Sequence, residues 1–275
     1  MTRRNTRRKG EIVVMEFCLK VYDGEGKMIA VRHGEDEVSL MCSREYQKGD
    51  RLGLEIPKKN IWVWLQWDDA LGKSLVYLTG NAEYQIPFGE KRINLSPKAF
   101  SGKKHLLYVR TAKDYEIKAY RNLALNVNDQ HQNTACYPHA SANVETRGES
   151  VFAAQNAIDG VVINDSHGEW PYQSWGINCR EDAAIRVEFG RTVETDRIVL
   201  YTRADFPHDN WWTEATVNFS DGSSLLFSME KSSAPHELTF EKKQIEWVEL
   251  CELKKSPEES PFPALTQIEV YGTDL

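Results

Sequence analysis

The chain has 275 residues, a formal net charge of −7, 41% hydrophobic residues and 27% charged residues. That length suggests two domains of ordinary size, and the composition excludes a disordered chain. A weakly acidic chain is a poor general partner for nucleic acid or an anionic membrane, so neither is expected.

The first ten residues depart from this balance. Arg3, Arg4, Arg7, Arg8 and Lys9 form a basic run, read as a flexible tail over residues 1–10. No secretory leader is expected. The apolar stretch is only Ile12, Val13, Val14 and Met15, ended by Glu16, whereas a leader needs about 7–15 apolar residues. Met15 offers an alternative start. No apolar run is long enough to cross a bilayer, and the expected location is cytoplasmic. Cys18, Cys42, Cys136, Cys179 and Cys251 are odd in number, lie far apart and include no C-x-x-C. They read as reduced, mostly buried thiols rather than a disulfide framework or a zinc site.

Strand signals dominate the rest, and the expected fold class is all-β. Residues 13–21 run into Asp23-Gly24 and resume at 28–32 as a hairpin, followed by strand candidates at 51–56, 61–67, 74–78 and 105–110. Within 61–67, Trp62 and Trp64 share one face and Val63, Leu65 and Trp67 the other. This reads as a strand buried on both faces of a sandwich. A flat aromatic glycan platform, with Asp68 and Asp69 at its end, is the alternative. Residues 121–135 are rich in Asn and read as a linker with its boundary near Asn126. That gives an N-terminal β-sandwich domain over 11–125 and a second domain over 126–275. In the second, 153–158 offers one short helical turn. Strands are expected at 184–189, 196–202, 215–219, 224–228, 244–250 and 266–271, with Asp221-Gly222 turning a hairpin.

Three segments of the second half carry a family likeness. They are Ala153-Ala-Gln-Asn-Ala-Ile-Asp-Gly160, then Ile185-Arg-Val-Glu-Phe-Gly190 with Asp196-Arg-Ile-Val-Leu200, and Gln267-Ile-Glu-Val-Tyr-Gly272. In order and spacing they resemble the discoidin-like (galactose-binding-like) carbohydrate-binding domain over about residues 137–272. The resemblance implies a jelly roll with ligand loops at one end and, often, a bound calcium. In the family the calcium ligands are the aspartate of "D-G" and a glutamate of the last strand. Asp159 matches the first, and Gln267 stands where the glutamate would be. Asn164, Asp165 and Ser166 are available to compensate. The alternative is that Asp159 only closes the turn before Gly160.

Two loops, 166–176 and 202–212, fall outside the alternating strands and gather His, carboxylate and Trp. A sugar offers hydroxyls in fixed directions and an apolar C–H face. Carboxylates and amides accept hydroxyl hydrogens, Arg donates in a rigid fork, and indole supplies a flat face. In the resembling family the loop after the "I-x-L" strand commonly holds the sugar. Arg203, Asp205, His208 and Asp209 are therefore the expected ligands, with Trp211 or Trp212 as platform and His167, Glu169 and Trp170 as the opposite wall. The structural alternative has Asp205 and Asp209 capping turns, Arg203 paired with one of them, and one tryptophan of the Trp211–Trp212 pair packed inward. Trp175 is the expected core tryptophan.

The function expected is non-catalytic recognition of a carbohydrate. One alternative is a glycan-acting enzyme using Glu169 and Asp209 as an acid–base pair, although no G-x-S-x-G, H-E-x-x-H or P-loop accompanies them. The other is a protein–protein module, marked by an exposed apolar patch.

Overall fold

The computed structural model describes residues 14–131, 133, 135–165, 168–204 and 210–275. The basic tail over residues 1–10 lies outside them. The first half carries β1 (Glu16–Tyr22), β2 (Met28–Glu35), β3 (Glu37–Cys42), β4 (Arg51–Glu55), β5 (Ile61–Gln66), β6 (Ser74–Leu78), β7 (Ala82–Gln85) and β8 (His105–Thr111). One helical turn, α1 (Asp114–Ile117), follows. Then come β9 (Arg121–Asn122), β10 (Cys136–Tyr137), β11 (His139–Ala142), β12 (Trp175–Gly176), β13 (Ile185–Thr202), β14 (Trp212–Phe219), β15 (Ser224–Ser228), β16 (His236–Lys255) and β17 (Ala264–Asp274). Every pairing between these strands is antiparallel. The all-β expectation holds for both halves.

The N-terminal sandwich stacks a sheet in the order β2-β1-β4-β7 against one in the order β10-β6-β5-β8-β3. Period-2 alternation builds its core, in which Phe17, Leu19, Leu52, Val63, Leu65, Trp67 and Val109 are all fully buried. Trp62 and Trp64 point the other way and are half-buried under cations. Arg191 and Arg121 lie 3.9 and 5.1 Å from the Trp62 ring, and Arg110 lies 5.8 Å from Trp64.

The second half forms one continuous sheet in the order β12-β17-β13-β16-β14-β15, with β11 and β9 attached. It closes over a single core containing Trp175, Trp212, Phe189 and Phe219. The sheet can do this because β13 and β16 are 18 and 20 residues long and lose register between Glu188 and Val193. Residues 184–189 and 196–202, expected as two strands, are one bent strand. The break sits at Gly190, whose φ of 68° and contact with Tyr137 admit no side chain.

The described part of the segment read as a linker, residues 121–131, 133 and 135, is tied to both sandwiches. β9 joins β17 of the second sheet, while β10 joins β6 of the first. Between them Asn126, Asn128 and Asp129 are buried. Asn128 Nδ2 donates to Leu65 O at 3.1 Å and Val127 N to Ser74 Oγ at 2.9 Å. The polar side chains that suggested a linker satisfy buried backbone. All five cysteines are free. Cys18, Cys42 and Cys136 are buried and Cys179 is exposed. Among the described residues, no helix is long and apolar enough to cross a membrane.

Candidate functional site

β13 delivers the chain to Arg203, and β12 pairs with the start of β17, Gly176 facing Ala264. Arg203 N is tied to Ala264 O at 3.3 Å. These ends and the loop over residues 146–152 enclose a cleft of about 150 Å³ whose lining includes Arg147, Phe152, Asn178, Cys179, Arg203 and Phe262.

Local chemistry explains the shape. A Cβ at Gly176 would come within 2.6 Å of Thr146 Oγ1 and 3.1 Å of Phe152 Cβ, so only glycine lets the 146–152 loop close on β12. Thr146 Oγ1 also accepts the Asn178 N–H at 3.0 Å. Asn178 and Cys179 both occupy the left-handed region, with φ of 50° and 57°, and Arg180 N bonds Ile177 O at 3.0 Å across them. Asn is at home there, but Cys is not, and a single such residue stores on the order of 1–3 kcal/mol. Cys179 is exposed, and its thiol donates to Pro261 O at 3.4 Å. Arg147, also left-handed at 52°, is held by Glu149 at 2.5 and 2.9 Å and lies 5.7 Å from the Phe152 ring.

The expected site residues divide three ways. Arg203 is 1% exposed and lines the cleft. Glu169 is exposed and Trp170 is 38% exposed, and neither is part of the lining. Trp211 is half-buried beside Glu258. Trp212 must be corrected: it is 0% exposed, with its ring 6.4 Å from Trp175 in the core, and cannot be a platform. Adjacent strand residues face opposite ways, so one of the pair had to turn inward. His167, Asp205, His208 and Asp209 lie outside the described residues, and with Asp209 goes the geometry of any Glu169–Asp209 pair. Arg147, Phe152, Asn178, Cys179 and Phe262 were missed. Only Phe262 left a signal, an aromatic held between Pro261 and Pro263 in a loop.

Asp159 and Gln267 do come together. Gln267 is fully buried, and its Oε1 accepts the Gly160 N–H at 3.1 Å. Asp159 accepts from Val161 N at 2.8 Å and Gln173 Nε2 at 2.9 Å. Asn164 Nδ2 donates to Thr266 Oγ1 at 3.2 Å, and Asn164 Oδ1 is buried with no donor among the described residues. Burial pushes the Asp159 carboxyl up to about 7, against the pull of the Gln173 and Val161 hydrogen bonds.

No curated protein matches the chain. Solved structures similar to it include chitosan-binding module 1 of a chitosanase/glucanase from Paenibacillus sp. IK-5, at 20% identity over 55% of this chain and 98% of that one, TM-score 0.39. The lectin domain of Lectinolysin, complexed with Lewis B antigen, is 20% identical over 55% of this chain and 96% of that one, TM-score 0.40. The family 32 carbohydrate-binding module of NanJ from C. perfringens, in complex with galactose, is 18% identical over 48% and 91%, TM-score 0.37. At TM-scores this low, none of them bears on what this chain binds. Residues 133–271 match the family described as Domain of unknown function (DUF7402), and the chain belongs to that family.

Proposed function

We propose that the chain is a carbohydrate-binding protein that takes one sugar residue in the cleft at the end of the second sandwich. The observation that carries this reading is the lining itself: a buried arginine beside two phenylalanine faces and an exposed asparagine. The guanidinium offers a planar fork of donors, the Asn amide both donates and accepts, and an aromatic face suits the C–H side of a pyranose. At about 150 Å³ the cleft is small, below the roughly 300–1,000 Å³ that drug-sized ligands fill. It suits one ring rather than a chain segment.

Cys179 reports on occupancy, because its thiol is exposed at the rim. Galactose, N-acetylgalactosamine, fucose and glucosamine are to be screened on a glycan array and then added during iodoacetamide alkylation. The sugar that binds is expected to slow alkylation of Cys179 severalfold, read by peptide mass spectrometry. Binding without protection would put the sugar elsewhere. The second reading, a protein-binding module, draws on Val162, Ile163 and Trp170, which are 42%, 62% and 38% exposed on one loop. A blank array with loss of a protein partner on Trp170→Ala would favour it.

We further propose a calcium site at the Asp159 turn, outside the cleft lining. Among the described residues Asp159 is held by the Val161 and Gln173 donors, and Asn164 Oδ1 is a buried acceptor without a donor. Asp159, Asn164 and Gln267 would hold the ion, together with backbone carbonyls that complete its oxygen shell. The pH dependence follows from the Asp159 carboxyl, at about 7 folded against 3.8 as its ordinary value. Between those values the metal-free fold keeps a proton that the unfolded chain has released. Its contribution is thus full below about pH 4 and is lost as pH rises through about 7, a change on the order of a few kcal/mol. In chelator, the melting temperature is expected to fall over that window in the wild type but not in Asp159→Asn. Calcium is expected to raise it more at pH 8 than at pH 6, because the carboxylate must be ionised to bind. A calcium response equal in both proteins would remove Asp159 from the site.

A further inference from the structure

Asn94 opens an N-x-S triplet in the N-terminal half, yet it is only 3% exposed. It follows the turn Gly89–Lys91 and reaches into the second sandwich, where its Nδ2 donates to Asn156 Oδ1 at 3.0 Å. Asn156 is 1% exposed and donates its own Nδ2 to Ser150 O at 2.8 Å and Ser174 O at 3.1 Å. Those two carbonyls belong to different walls of the cleft. Ser150 sits on the loop that presents Arg147 and Phe152, and Ser174 leads into the segment that presents Gly176, Asn178 and Cys179. The walls are joined again by Ser174 N to Val151 O at 2.9 Å. A second contact from the first half, Ser150 Oγ to Glu90 O at 2.6 Å, lies on the same loop.

An asparagine amide can clamp two carbonyls only if its NH₂ end faces them. The donor on its other end fixes that choice. Asn94 is this donor, and without it Asn156 Oδ1 is buried and unpaired. We propose that the N-terminal domain braces the cleft, with Asn94 as a positioning residue that sets ligand affinity through Asn156 without lining the site. The inference rests on the reading of the cleft as a sugar site and assigns the first domain a part in it.

The test is hydrogen exchange and sugar affinity on the full chain, with the same four saccharides as probes. Asn94→Asp keeps the side chain's shape and turns an oxygen toward Asn156 Oδ1. Ser150→Ala removes the second contact at little risk to folding. Ile93→Ser, at a neighbouring residue 38% exposed, is the control. Asn94→Asp is expected to speed amide exchange in 146–152 and 174–179 roughly tenfold, the cost of an orphaned buried acceptor. Exchange in β13 should not move, and sugar affinity should fall by a similar factor. Ser150→Ala should give a smaller change in the same segments, and Ile93→Ser none. Unchanged exchange in both cleft segments overturns the proposal, as does faster exchange with wild-type affinity. If no saccharide binds the wild type while those segments still loosen, the brace stands and the sugar reading falls.

Discussion

Replacing Arg191 with alanine is expected to destabilise the protein by about 1.5–3 kcal/mol, the range for losing a hydrogen bond to a charged group whose other ion pair remains. Arg191 leaves β13 beside the register break and points into the seam between the two sandwiches. Its Nε donates to Asp274 Oδ1 at 2.6 Å, and its guanidinium lies 3.9 Å from the Trp62 ring and 5.4 Å from Tyr77. The side chains of Arg191 and Asp274 are 11% and 4% exposed. Burial lowers the guanidinium to about 10, against the opposing pull of Asp274, so it stays charged at neutral pH. Its loss leaves Asp274 to Arg121 alone, at 2.5 Å, and leaves Arg121, at 5.1 Å, as the remaining cation over Trp62. Arg191→Met, which keeps the apolar stem but not the charge, should cost less. Urea unfolding of Arg191→Ala, Trp62→Ala and the double variant separates the parts. The cation–π contact is expected to appear as a coupling of about 0.5–2 kcal/mol. A wild-type midpoint for Arg191→Ala would mean that the seam is held by the backbone of β9 and β10 and not by this pair.

Legibility in the sequence followed from what local patterns can encode. Ser74–Leu78 and Ser224–Ser228 have the bounds that alternation and the Asp221-Gly222 turn predict. β3 escaped because only Asp36, at φ 56°, separates it from β2, and Gly34, where a Cβ would lie 2.5 Å from Glu37 O, sits inside β2 rather than at a break. β7 escaped because Glu83 and Gln85 make a short strand look polar. Residues 121–135 misled because composition cannot distinguish an asparagine in water from one clamping buried carbonyls. Asn126 Nδ2, which donates to Pro138 O at 2.8 Å, is of the second kind. Of the residues around the proposed cleft the sequence singled out Arg203, and of the proposed calcium ligands it singled out Asp159 and Gln267, each through the resemblance. The cleft's other walls come from loops that meet through β12–β17 pairing and through the first domain, and neither link has a local signature.

Arg203→Ala is expected to abolish sugar binding, a loss of roughly 100-fold or more if one charge-assisted fork is worth about 3 kcal/mol. Arg203 is 1% exposed, so part of its role is packing, and alanine alone cannot separate affinity from stability. Two further variants do. Arg203→Lys keeps the charge but replaces a rigid planar fork with a point charge, and should lose most of the affinity while the protein stays folded. Arg203→Met keeps the stem and removes every donor, and should bind no better than alanine while melting closer to the wild type. Titration calorimetry with the array-selected sugar measures affinity, and Cys179 alkylation checks that the cleft is still formed. If Arg203→Lys binds as tightly as the wild type, the fork geometry is irrelevant and charge alone is read. If all three variants bind normally while folded, the arginine is a buried strut and the sugar reading of this cleft fails.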